Sequence, residues 1–146
     1  MVASDTTLPN RNPERPNGGT GRRDRSAFKG LRVLVVEDEF LLALLLEEEL
    51  VSAGCSVVGP FSGLAQAMEA ARRETFDLAI LDINLNGEMV YPLADELSGS
   101  GVPFIFMSGY GLSNLPERFR TAPRIAKPYD PAILVREMRR VLPGAG

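Results

Sequence analysis

A small set of reactive side chains recurs in this chain at the ends of apolar runs. VLVV leads straight into Glu37, Asp38 and Glu39; DLAILDI carries Asp82; PFIFMSG carries Ser108; and RIAKPYD carries Lys127 followed by Pro128. Like charges at the end of a strand bound for an interior repel one another, and desolvating them is costly unless a cation is close. Gathered together, Glu37, Asp38 and Asp82 would form an oxygen-ligand cage suited to Mg²⁺. The cation would remove the repulsion. Lys127 and the Ser108 hydroxyl would then flank a place for a phosphoryl group. A lone aspartate at a strand end usually serves as a cap or turn residue. Lys127 alone reads as an ordinary surface lysine, and Ser108 alone as a turn residue. It is their joint occurrence that asks for a common explanation.

These groups can meet only if the intervening chain returns each of them to one edge. Residues 31–36 are a short apolar, β-branched run, a candidate buried strand. Residues 38–54 predict a helix with Asp38 near its cap and Gly54 just past its end. From Phe40 to Leu46 that helix is apolar nearly all round, which fits cover on most sides or an apolar patch kept for a partner. Further strands are expected over 55–61, 77–83, 102–109 and 124–130. Helices are expected over 62–74, capped by Ser62, over 89–101, and over 131–142, started by Asp130 with Pro131 at its first position. Residues 109–123 contain Gly109, Gly111, Pro116 and Pro123 and predict at most one helical turn, near Leu115 to Phe119. Alternating β and α segments with near-continuous apolar strands predict an α/β fold, a parallel sheet covered on both faces. Right-handed crossovers bring the strand ends to one rim, where such sheets hold their functional crevice.

Composition narrows the chemistry. The chain has 146 residues, 45% of them hydrophobic, enough for one domain with a real core. No apolar run approaches the roughly 18 residues that span a bilayer, and the N-terminus lacks the apolar stretch of a secretory signal. The single cysteine, Cys55, is expected to pack inertly at the start of a buried strand. These features fit a cytoplasmic protein in a reducing compartment. With no histidine, the chain cannot build a histidine-assisted nucleophile, a histidine metal ligand or a phosphohistidine. Residues 1–30 are rich in Pro, Gly, Asn and Arg and carry net charge +3, leaving −6 for the remainder. The first thirty residues read as a disordered basic tail, residues 31–142 as the domain and 143–146 as a short C-terminal tail. An acidic domain argues against nucleic acid as its partner, and nothing points to a membrane. Glu39 is expected as an exposed first-turn residue favoured by the helix dipole, and Glu47, Glu48 and Glu49 as a solvated face.

With Glu37-Asp38, Asp82, Ser108 and Lys127-Pro128 each at a strand end in this order, the chain resembles a two-component response-regulator receiver domain from about Leu31 to Leu142. The segments DINLNGEMVYPLADEL and PFIFMSGYG resemble the FATGUY subgroup of stand-alone receivers, which pair with HWE-type or HisKA2-type histidine kinases. The resemblance implies a doubly wound, flavodoxin-like sheet of five parallel strands in the order 2-1-3-4-5, with a short or irregular fourth helix. It implies that Asp82 accepts a phosphoryl group from the phosphohistidine of a partner kinase or phosphotransfer protein. It further implies that Glu37, Asp38, Asp82 and the backbone carbonyl of Asn84 hold Mg²⁺. Lys127 would pair with the phosphoryl oxygens and Ser108 would donate to them. Asn84 and Tyr110 would tune the lifetime of the aspartyl phosphate, and Phe40, Leu44, Pro128 and Tyr129 would meet the partner. Receivers usually carry an aromatic switch residue three positions before the lysine; here that position is Arg124, and Tyr110 is expected to take over part of its role.

Three other readings share parts of the pattern. A receiver that binds without phosphotransfer would keep the architecture. A haloacid-dehalogenase-type phosphatase also uses a strand-end aspartate, Mg²⁺, a hydroxyl and a lysine, but its usual second aspartate is Asn84 here. A flavodoxin-like nucleotide binder would need a glycine-rich loop after the first strand, and none is present. No output module is recognisable before Gly146, so signalling is expected to proceed by protein contact.

Overall fold

The computed structural model describes residues 28–109 and 115–143. Five parallel strands form one sheet: β1 (Arg32–Val36), β2 (Ser56–Phe61), β3 (Leu78–Asp82), β4 (Phe104–Ser108) and β5 (Arg124–Ala126). Their spatial order is β2-β1-β3-β4-β5, the doubly wound order expected. The helices are α1 (Phe40–Ser52), α2 (Leu64–Arg73), α3 (Tyr91–Gly99) and α4 (Pro131–Val141).

The strands are apolar on both sides because both faces are covered. Leu34, Val36, Ala79, Leu81 and Phe106 face a core completed by α2 and α3. Val33, Val35, Leu78, Ile80, Ile105 and Met107 face a second core completed by α1 and α4. Alternation along each strand divides its residues between the two. Phe28 is fully buried in the second core, so the packed domain takes in a residue on the tail side of the boundary expected at Leu31.

Local chemistry fixes the ends. The Asp130 side chain accepts a hydrogen bond from Ala132 N at 2.9 Å and Pro131 opens α4, the start expected from sequence. Two caps differ from expectation. Glu39, not Asp38, is the N-cap of α1, since Asp38 is turned to the sheet rim. Gly63, not Ser62, precedes α2, with no side-chain cap bond. On β2, Gly59 sits at φ +106°, and a Cβ there would lie 2.9 Å from the Val35 carbonyl oxygen. Only glycine lets β2 approach β1 at the irregularity between Leu34 and Val36. The stretch entering β5 forms a single 3₁₀ turn, Glu117–Phe119, as the glycines and prolines predicted.

Candidate functional site

Four of the predicted groups come together at the carboxyl ends of β1, β3 and β5. Each is carried there by an apolar strand that ends at the rim, so the side chains are held while their heads converge. Glu37 is 3% exposed and Asp82 5%. Asp38 lies between them and solvent, half-buried. Carboxylate oxygens of Glu37, Asp38 and Asp82 all lie within 4.8 Å of one another. Lys127 reaches in from β5, its Nζ 3.0 Å from Glu37 Oε1 and 3.3 Å from Asp82 Oδ2. Glu37 Oε2 accepts the Glu39 amide at 3.0 Å, which fixes the turn that leads into α1. Lys127 N donates to the Ser108 carbonyl at 2.8 Å, and Ser108, 8% exposed, ends the neighbouring β4. The Lys127–Pro128 peptide is cis.

The electrostatics describe a pocket short of positive charge. Burial pushes the Asp82 carboxyl up to about 8; a hydrogen bond with Asp38 and the charge of Glu37 push the same way, against the pull of Lys127. Burial also works against the Lys127 ammonium, but its hydrogen bond to Glu37 and the charges of Asp82 and Glu37 outweigh it, and its pKa lies above the ordinary value. Three carboxylates facing one ammonium fit a hard divalent cation, which would add the missing charge through oxygen ligands.

Other predicted residues stand at the margin. Asn84 lies two residues beyond Asp82, where its side-chain Oδ1 accepts the Gly87 amide at 2.6 Å. That bond closes a small hairpin, Asn84–Leu85 against Glu88–Met89, which the sequence reading did not foresee. Asn86 at φ 59° and Gly87 at φ 96° make its turn, and Asn-Gly is the signal that pointed to it. Tyr110 lies outside the described residues. Arg124 is exposed on the edge strand and donates to the Arg120 carbonyl at 3.4 Å. On α1, Phe40 is 77% exposed and Leu41 69%, with Leu44 and Leu45 also open to solvent. Between α1 and the Lys127 loop runs a groove of about 430 Å³ lined by Leu42, Leu45, Pro128 and Tyr129, with Lys127 at its inner end. The Tyr129 hydroxyl donates to Glu49 Oε1 at 2.8 Å. Glu49 is therefore tied to the site loop rather than part of a purely solvated face; its position beside two other glutamates gave no sign of this. Cys55 is buried, and burial pushes its thiol up to about 11, in keeping with inert packing.

Fold and site define a phosphoacceptor-type signalling domain, and comparison with known proteins agrees. The sequence model of the response regulator receiver domain matches residues 33–139, and the chain belongs to that family. It is 32% identical over 119 residues to the uncharacterized transcriptional regulatory protein YbdJ of Bacillus subtilis (strain 168), covering 79% of this chain and 52% of that protein. It is 29% identical over 116 residues to the transcriptional regulatory protein PdtaR of Mycobacterium tuberculosis, covering 77% of this chain and 57% of that protein. The chain thus spans about half the length of the curated relatives it matches. Among solved structures, SdrG from Sphingomonas melonis Fr1 superposes with a TM-score of 0.69 at 33% identity, covering 75% of this chain and 93% of that one. Among the described residues, no helix is long and apolar enough to cross a membrane.

Proposed function

We propose that this chain is a FATGUY-type single-domain response regulator, cytoplasmic, that accepts a phosphoryl group on Asp82 in a Mg²⁺-dependent phosphorelay. The observation that carries the reading is the placement of Asp82: nearly sealed from solvent, 3.3 Å from Lys127 Nζ and clustered with Glu37 and Asp38. A buried carboxylate in that setting is held in place with one oxygen free to act as a nucleophile. An Asp82 oxygen attacks the phosphorus of a donor phosphohistidine; the P–N bond breaks and the electron pair leaves with the imidazole. Lys127 moves from the Asp82 carboxylate to a phosphoryl oxygen, and the Ser108 hydroxyl donates to another. Mg²⁺, held by Glu37, Asp38, Asp82 and the Asn84 carbonyl, would neutralise charge on the phosphoryl oxygens. Asn84 and Tyr110 flank the path of attacking water and set the phosphate's lifetime. The donor is a histidine kinase of the HWE or HisKA2 type, or a phosphotransfer protein, docking on Phe40, Leu44, Pro128 and Tyr129. No turnover of an external substrate is involved beyond self-catalysed transfer and hydrolysis, and the readout is a protein contact.

The test is intact mass after incubation with acetyl phosphate and Mg²⁺, for the native chain and for Asp82→Ala. A single phosphoryl adduct that needs the metal and is lost in the variant is the expected result. An adduct retained in Asp82→Ala overturns the assignment, and absence of both adduct and Mg²⁺ binding leaves a binding-only receiver.

A further inference from the structure

A second hollow, of about 490 Å³, opens at the opposite edge of the sheet from the Asp82 rim, between the C-terminal ends of α3 and α4. Its lining is mainly apolar: Val102, Pro103, Phe104, Phe119, Pro123 and Val141. One wall is the stretch from Thr121 to Pro123, and that wall is bracketed by two exposed arginines, Arg120 and Arg124. The bond from Arg124 Nη2 to the Arg120 carbonyl, 3.4 Å, turns the Arg124 guanidinium back along the wall. Among the described residues neither arginine has a carboxylate within ion-pair distance. Nearby basic groups are already neutralised: Arg118 is clasped by Asp95 at 2.7 and 2.9 Å, and Arg72 is paired with Glu96. Two uncompensated guanidinium groups therefore stand at the lip of an apolar hollow, on a domain whose charge from residue 31 onward is −6.

We propose that this hollow binds an acidic peptide segment of a partner protein, with a bulky apolar side chain seated against Phe104 and Phe119 and carboxylates paired with Arg120 and Arg124. The apolar floor supplies area to bury, and guanidinium–carboxylate pairs supply orientation and exclude basic segments. No group of the Asp82 rim takes part, so the inference stands or falls independently of phosphotransfer.

The experiment titrates the ¹⁵N-labelled full chain with an acetylated, amidated peptide of a dozen residues that carries a central Phe flanked by four Glu. Its Glu→Gln and Phe→Ala versions and a single-stranded DNA oligonucleotide serve as controls. Saturable shifts are expected at Val102, Phe104, Phe119, Thr121 and Ala122, weakened by salt and by either change to the peptide. Arg120→Glu with Arg124→Glu should weaken the acidic peptide at least about tenfold, and the same protein should then take a Glu→Lys peptide, which shows that the variant is folded. No shifts up to about 1 mM peptide, the weakest range of specific binding, would overturn the proposal. So would shifts centred on α1, equal binding of the Gln peptide, or tighter binding of the oligonucleotide.

Discussion

The molecule carries two kinds of charge cluster, and they obey opposite rules. At the Asp82 rim, Glu37, Asp82 and Lys127 are nearly sealed from water, with contacts of 3.0 and 3.3 Å. On the helices, Arg118 clasps Asp95 with two bonds of 2.7 and 2.9 Å, both partners well exposed. By geometry the surface clasp is the better ion pair. By energy it matters less, because water and salt screen it and both side chains give up freedom to form it. The rim is the reverse: its charges lost their hydration on folding and are not fully repaid, as the raised Asp82 pKa shows. A fold that keeps an under-neutralised acid cluster in its interior keeps it for something it binds.

That contrast can be broken or sharpened by experiment. The largest effect should come from Lys127→Ala, which strips the rim of its only ammonium and leaves Glu37 and Asp82 facing each other; a loss of roughly 3–5 kcal/mol in urea unfolding of the metal-free protein is expected, partly restored by Mg²⁺. An unchanged midpoint would mean that the rim is wetter than its burial indicates. Asp82→Asn should act in the other direction, stabilising the metal-free protein at about pH 8 by roughly 1–3 kcal/mol, because it removes the charge that the site disfavours.

The pH dependence follows from the same group. In the unfolded chain Asp82 ionises near 3.8, and in the folded metal-free protein at about 8. Between those values the folded state holds the extra proton, so this group's contribution to stability falls as pH rises. The stability difference between Asp82→Asn and the native chain should therefore widen from about pH 5 to about pH 8, and Mg²⁺ should bind more tightly over the same range as it displaces the proton. Thermal melts and a Mg²⁺ titration at several pH values read both. The smallest effect belongs to Arg118→Ala: a slight drop in melting temperature that vanishes in high salt, with phosphoryl acceptance unchanged. A large drop there would erase the distinction between the two clusters.

Much of this was legible in the sequence. Five apolar runs with charged or hydroxyl ends give the parallel sheet and predict that Glu37, Asp38, Asp82 and Lys127 converge, because strands of one direction must end at one rim. The fragmented stretch before β5 was readable from its glycines and prolines. What escaped lay in long-range pairing. Nothing in Glu47-Glu48-Glu49 says that the third glutamate accepts a bond from Tyr129, eighty positions away. Nor does local sequence place Phe28 inside the core, since its neighbours are polar. The hairpin after Asp82 was signalled by Asn86-Gly87 but passed over, because two-residue strands carry too little periodicity to register.

The central claim is that Asp82 is the group that carries the phosphoryl. It is tested most directly by trapping the acetyl-phosphate-treated, Mg²⁺-loaded chain with borohydride, which reduces an acyl phosphate to an alcohol, and then mapping peptides by mass. A single reduced site at Asp82, missing when Mg²⁺ is withheld, is the result expected. Reduction at Glu37 or Asp38, or a trapped adduct indifferent to the metal, would contradict it.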